Sequence, residues 1–237
     1  MHYAVSDIHG CFDELMRLME KIGFSDEDTL YVIGDTIDRG PKPVEVLTWM
    51  MGRHNVIPII GNHEYMMMRV LLPGLKKVDS EEEIEKTLTY DFLVDSNLWF
   101  LSDNGGRITA EAFRSLPEYR REALLDYVKE FSVYEDIVVN DRHFVMVHTI
   151  NEDIHSLSDL ENADIYDLGA FLISRPDFDG VWDQEEIFVI GHTPTWFLDC
   201  KDNMVFRNGN LINIDCGCVM GGHLAALCLE TMEVFYE

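Results

Sequence analysis

Asp7 and His9 stand two residues apart in "VSDIHGC", directly after a short apolar run. A carboxylate and an imidazole at a strand end can serve a turn, or they can hold a metal. The same event recurs down the chain. "YVIGDTIDRG" closes an apolar run with Asp35, Asp38 and Arg39, and "PIIGNHE" with Asn62, His63 and Glu64. "FVMVHT" brings His148 and "FVIGHTP" brings His192. Each motif alone reads equally well as a turn, a cap or a helix start. Recurring in order, each after a strand-like run, they point to loops that share one site. Three aspartates, an amide and four imidazoles are more than one zinc ion needs. They fit two metals sharing a bridging carboxylate, and two such ions ~3.5–4 Å apart clamp a phosphoryl group and activate a water. Imidazole and oxygen donors with no required thiolate suit Mn, Fe or Zn better than Ca or Mg.

The elements that must position these residues are legible as short apolar runs. "HYAV", "LYVI", "VIPII", "HFVMV", "IFVI" and "LINI" are four or five residues long and rich in β-branched or aromatic types, so each predicts a buried strand. Between the first two, "CFDELMRLMEKI" spaces Phe12, Leu15, Met16, Met19 and Ile22 as one helical face. "VEVLTWMM" predicts a second helix, opened by Pro41 and Pro43. Strand, helix, strand, helix, strand implies parallel pairing through crossovers, and in open α/β sheets sites collect at the carboxyl ends of the strands. From about 75 to 131 the pattern becomes helical, with "SDNGGR" between two helical stretches, which reads as a cap inserted into a single domain spanning 1–237. The tail, with "MVFRNG", "LINID" and "LAALCLETMEVFYE", predicts short hairpin strands.

Composition narrows the function. A 237-residue chain, 47% hydrophobic, is the size of one α/β domain with a substantial core. The net charge of −26 repels nucleic-acid backbones and anionic membranes, while a local cluster of metals or arginines still attracts a small anion. No apolar run reaches about 18 residues and no basic stretch precedes the first apolar residues, so the cytoplasm is the expected compartment. Five cysteines, an odd number, imply reduced thiols, and Cys216 and Cys218 in "DCGC" read as small residues near a buried strand end rather than a zinc site. His2, His54, His143 and His155 read as surface histidines, and His223 as a weak candidate for the pocket lining.

"DIHG", "GDTIDRGP", "GNHE", a later "VH" and "GHTP", in that order, resemble the signature of the calcineurin-like metallophosphoesterases. With "GNHEYMM", "DNGG", "SRPDF" and "IDCGCVMGG", the chain looks most like the bacterial and phage (lambda phosphatase-type) serine/threonine protein phosphatases of that superfamily. The resemblance implies an α/β fold, a two-sheet β-sandwich flanked by helices with a helical cap insertion. It implies that Asp7 and His9 hold one metal, that Asp35 bridges, and that Asn62, His148 and His192 hold the second. His63, oriented by Asp38, would sit by the leaving oxygen, and Arg39, Asn62 and Arg175 would hold the phosphate. The expected cofactors are two divalent ions, manganese first, with iron or zinc as alternatives. The expected activity is hydrolysis of phosphomonoesters by a metal-activated water, acting on a phosphoprotein or a small phosphorylated substrate.

The alternative substrate is diadenosine tetraphosphate or a related nucleotide, cleaved symmetrically. The bacterial enzymes of that kind tend to carry Asp after "GNH" and often lack the second acid of "GDxxDRG", so Glu64 and Asp38 favour the protein-phosphatase reading, with the choice set by the region around Asn104–Arg107. A non-catalytic metal-binding module is the reading of another class, and retention of His63, Asp38 and Arg39 weighs against it. Thr149, Ile150 and Ile60 depart from the family pattern, the last where an arginine is common.

Overall fold

The computed structural model describes residues 1–74, 88–101, 103–163, 167–183 and 185–237. All six apolar runs are strands. The first sheet contains β1 (His2–Ser6), β2 (Thr29–Ile33) and β3 (Val56–Ile59), joined in parallel, residue against residue, through α1 (Phe12–Ile22) and α2 (Pro43–Met51). The second contains β4 (Tyr134–Val139), β5 (Arg142–Val147), β6 (Glu186–Ile190), β7 (Phe206–Asn208) and β8 (Leu211–Asn213). Its order is β4-β5-β6-β8-β7, with β5, β6 and β8 parallel and the edge strands antiparallel. The tail forms the predicted hairpin, β9 (Ala225–Cys228) and β10 (Val234–Tyr236), which completes the first sheet in the order β10-β9-β1-β2-β3.

Two layers of apolar contact explain why these runs lack polar alternation. Ala4, Tyr31, Ile33, Phe144, Met146, Val189 and Ile212 form one cluster, drawn from both sheets. Their strand neighbours Val5, Leu30, Val32, Val145, Val147 and Phe188 belong to the other cluster, with Leu15 and Leu18 of α1 and Leu47 and Met50 of α2. Side chains of a strand alternate between its faces, so a strand covered on both sides must be apolar throughout. β4 was not predicted. It is an edge strand whose face bearing Asp136 and Val138 is exposed, so it carries no such run.

Four helices missing from or blurred in the sequence reading complete the frame. α3 (Asn62–Gly74) begins at the "GNHE" motif itself. α4 (Tyr90–Phe100), α5 (Gly106–Ser115) and α6 (Glu118–Lys129) occupy most of the predicted helical insertion, whose 75–87 stretch lies outside the described residues. α4 starts at Thr89, whose side chain accepts from the Phe92 N–H. Two short helices, α7 (Leu157–Asn162) and α8 (Leu168–Phe171), lie between β5 and β6. Among the described residues no helix is long and apolar enough to cross a membrane.

Candidate metal centre

The carboxyl ends of β1, β2, β3, β5, β6 and β8 meet, and each delivers a ligand type. The loops after β1 and β2 are stitched together by backbone bonds from Asp7 N–H to Gly34 O (3.2 Å), His9 N–H to Asp35 O (2.8 Å) and Gly10 N–H to Thr36 O (2.9 Å). Gly191 N–H donates to His148 O at 3.0 Å and so joins the loops after β5 and β6. Close approach is required throughout. A Cβ on Gly191 would stand 2.1 Å from an Asp7 carboxylate oxygen, and one on Gly34, whose φ is +69°, would stand 2.5 Å from His148 Nδ1. The functional side chains sit on strained backbone. Asp7, His9, Asp35, Asp38, Arg39 and His192 all have φ between 45° and 69°. A non-glycine residue there costs of order 1–3 kcal/mol, a concentration of strain that belongs to sites rather than to turns chosen for stability.

Two groups of donors result. His9, Asp35 and His63 form one, and Asp35, His148 and His192 the other, so Asp35 belongs to both. Asp35 Oδ2 lies 3.6 Å from His9 Nε2 and 3.8 Å from His63 Nε2, and its Oδ1 lies 3.5 Å from His148 Nε2. The first turn of α3 helps to aim it, since the His63 backbone N–H donates to Asp35 Oδ1 at 3.1 Å. Asn62 Oδ1 stands 3.0 Å from His148 Nε2 and 3.0 Å from His192 Nδ1. Asp7 accepts from the His192 backbone N–H at 3.0 Å.

The donor chemistry fits cations. His148 spends its Nδ1 proton on the Ile33 carbonyl at 3.1 Å, which leaves the Nε2 lone pair aimed at Asn62 Oδ1 and Asp35 Oδ1. Three lone pairs thus converge with no proton between them. Burial pushes the His148 pKa down to about 4, so protonation does not relieve the clash near neutral pH. His9 Nδ1 likewise donates to Ile37 O at 2.8 Å, while its Nε2, 3.6 Å from Asp35 Oδ2, accepts from Arg39. Burial also holds His9 and His63 well below the ordinary imidazole range, and the Arg39 charge adds to both. On the acidic side, burial raises Asp7 and Asp35, with Asp215 the next cause for Asp7 and Glu64 for Asp35. Neutral imidazoles beside carboxylates that lack a counter-charge are the electrostatic mould of a dication site. His63 Nε2 and His192 Nε2, both buried, have no hydrogen-bond partner among the described residues.

The rest of the predicted set sits round this mould. His63 is fully buried and its Nδ1 lies 2.7 Å from Asp38 Oδ2. Asp38 is itself held by the Trp99 indole N–H of α4 at 2.8 Å and by the Thr109 hydroxyl of α5. Its pKa is pushed up to about 7 by burial, against these donors. The helical insertion therefore does more than cover the site. The stretch 103–107, the region expected from sequence to set the substrate choice, grips Arg39: the Asp103 carbonyl accepts from Arg39 Nε at 3.0 Å, and Gly105 packs on the Arg39 backbone. Arg39 Nη1 points at His9 Nε2, 2.7 Å away. Arg175 is exposed, makes no ion pair among the described residues, and lies near enough to His192 for its charge to lower that imidazole, after burial and His148. Thr149, a departure from the family pattern, ties this arginine's loop down by donating to the Ser174 carbonyl at 2.8 Å. Ile150 and Ile60 are core residues.

Glu64 does not face the ligand space. It is fully buried and its carboxylate accepts from the N–H groups of Asp35, Thr36 and Gly61 and from the Thr36 hydroxyl, at 2.7–3.0 Å. It braces the loops after β2 and β3 and offers no free oxygen to the ligand space. Asp215 was missed. It follows β8, is 3% exposed, and borders the same hollow as Asp7, His9 and Arg39. "LINID" carries the signal that marked the other five loops, an apolar run closed by a ligand type, but reading the tail as hairpins hid it. Neither donor group contains a cysteine. Cys216 is buried, Cys218 hydrogen-bonds to Cys11, and His223 packs on Tyr236.

Comparison with known proteins agrees with this geometry. Over 98% of its length the chain is 29% identical to a symmetrical bis(5'-nucleosyl)-tetraphosphatase of Neisseria gonorrhoeae, 94% of which is covered. It is 28% identical to an asymmetrical bis(5'-nucleosyl)-tetraphosphatase of Bacillus velezensis, over 93% of this chain and 85% of that one. Its fold matches a crystal structure provisionally described as a diadenosine tetraphosphatase, with a TM-score of 0.62 at 16% identity, covering 100% of this chain and 92% of the other. Residues 3–226 match the model of the calcineurin-like phosphoesterases, so the loops that converge on Asp35 serve a metal-dependent phosphoesterase, and the chain belongs to that family.

Proposed function

We propose that the protein hydrolyses bis(5'-nucleosyl) tetraphosphates symmetrically, giving two nucleoside diphosphates. The observation that carries the reading is the end-to-end likeness to the symmetrical enzyme of Neisseria gonorrhoeae. Of the two residues that favour the protein-phosphatase substrate, Glu64 turns inward as a loop brace and Asp38 holds His63. We assign Asp7, His9 and Asp35 to one divalent ion and Asp35, Asn62, His148 and His192 to the other. Imidazole and oxygen donors favour manganese, with iron or zinc as alternatives. Bound there, the ions supply Lewis acidity at the phosphoryl oxygens and a water acidic enough to react near neutral pH.

The chain's own residues do the rest. Three buried carboxylates, Asp7, Asp35 and Asp215, balance most of the +4 charge of two divalent ions, so the centre stays attractive to phosphate beneath an acidic surface. Arg39, anchored at Nε, keeps a guanidinium edge at the mouth for equatorial phosphoryl oxygens, and Arg175 adds a second cation. Asp38 holds Nδ1 of His63, so Nε2 is free to carry a proton to the leaving oxygen. A nucleoside diphosphate leaves as a stable anion and asks little of that proton. An alkoxide asks much more, and the fully retained Asp38–His63 pair favours a second reading, hydrolysis of phosphoserine or phosphothreonine.

Purified protein with Mn2+ should cleave p-nitrophenyl phosphate, and EDTA should abolish this. With diadenosine tetraphosphate the sole product should be ADP. ATP plus AMP would reassign the chain to asymmetrical cleavage. Turnover of phosphopeptides with none of the dinucleotide would establish the second reading instead.

A further inference from the structure

A cavity of about 560 Å3 opens beside the candidate centre, between the loop after β5 and helices α7 and α8. It contains none of the residues assigned to metal or phosphate. Its apolar lining comes from Ile154, Ala163, Ala170 and Phe171, and its polar lining is acidic and amide in character, Asp153 and Asn151 among it. Among the described residues no lysine or arginine lines it. A cavity of this size, apolar with a few polar groups, has the make-up of a small-molecule site.

Its position ties it to the centre. Ser174, on its wall, is the residue before Arg175, and the Ser174 carbonyl is held by Thr149, next to His148. Asn151 is three residues beyond His148, so their Cα atoms are at most about 11 Å apart. That leaves room for one phosphate and one ribose between the reacting phosphorus and whatever fills the cavity. The charges sort the two ends of a substrate. Arg39 and Arg175 draw the polyphosphate, while carboxylates with no cation beside them repel it and accept from N–H and O–H donors. Asp159 and Asp167 already spend carboxylate oxygens on capping α7 and α8, whereas Asp153 makes no side-chain hydrogen bond among the described residues.

We infer that this cavity holds a nucleoside of the substrate, its base on the apolar side formed by Ile154 and Phe171 and its amino or hydroxyl donors on Asp153 and Asn151. A nucleoside brings donors and a flat apolar face without charge, which suits a wall that is half apolar and half acidic. The inference rests on the tetraphosphatase reading and gives it a specificity device: substrates that lack the nucleoside cannot use the cavity.

The test uses two variants of the full chain, Ala170→Trp, which fills the cavity, and Asp153→Asn, which removes the acceptor charge with little change of shape. Kinetics of both would be measured on diadenosine tetraphosphate and on p-nitrophenyl phosphate with Mn2+. The expected result is a KM for the dinucleotide raised about tenfold or more by Ala170→Trp and several-fold by Asp153→Asn, with p-nitrophenyl phosphate kinetics unchanged. Unchanged dinucleotide kinetics in both variants overturn the inference and leave the tetraphosphatase reading standing. Equal losses on both substrates in both variants also overturn it. Wild-type protein that cleaves p-nitrophenyl phosphate but not the dinucleotide defeats the tetraphosphatase reading, and this inference with it.

Discussion

Replacing Asp35 by asparagine should lower kcat/KM at least about a thousandfold and leave fewer than two metal ions per chain. Asp35 is the residue common to both donor groups, with one oxygen turned to His9 and His63 and the other to His148. The amide has the same shape but one oxygen and no charge, so it can serve one ion and not two. Several kcal/mol of transition-state stabilisation go with each ion, and each 1.4 kcal/mol is a factor of ten in rate. The metal-free protein should not lose stability. Burial already holds the Asp35 carboxyl far above the ordinary range, and Glu64 adds to it, so removing the charge relieves repulsion in the absence of cations. Elemental analysis after gel filtration gives the stoichiometry, and thermal unfolding with and without EDTA gives the stability. A melting temperature below the wild type's, both in EDTA, would mean that Asp35 is structural.

His63→Asn should separate chemistry from metal binding. We expect two ions per chain and a kcat lowered about 10²–10⁴-fold, the range for loss of a general acid. The loss should be greater for phosphoserine peptides than for diadenosine tetraphosphate, because the alkoxide needs the proton that a diphosphate does not. The structure makes this a sharp question. His63 Nδ1 is committed to Asp38, and Nε2 lies 3.8 Å from Asp35 Oδ2, within reach of an ion as well as of a leaving group. Loss of one ion in the variant would make His63 a ligand and remove it from the proton-transfer role.

How far the sequence reaches depends on whether a feature is local. The six buried strands are legible because each is covered on both faces, by helix and by the facing sheet, and so must be apolar throughout. The five motifs are legible because each hangs directly on such a strand. What lies outside the sequence's reach is set by contacts between distant segments. The hold on Asp38 joins residues 61 and 71 positions away, Trp99 and Thr109, and no periodicity encodes it. Glu64 looks like a site residue because it stands inside a site motif, and only the fold turns its carboxylate inward. β4 escapes because an edge strand keeps a wet face, and Asp215 because a hairpin reading of the tail displaced the pattern that would have found it.

The central claim is that loops from five strand ends hold two cations through a shared Asp35. Anomalous diffraction at the manganese edge, from crystals grown with Mn2+, tests it directly. The account predicts two peaks flanking Asp35, one beside Asp7 and His9, the other among Asn62, His148 and His192. A single peak, or two that do not share Asp35, would contradict it.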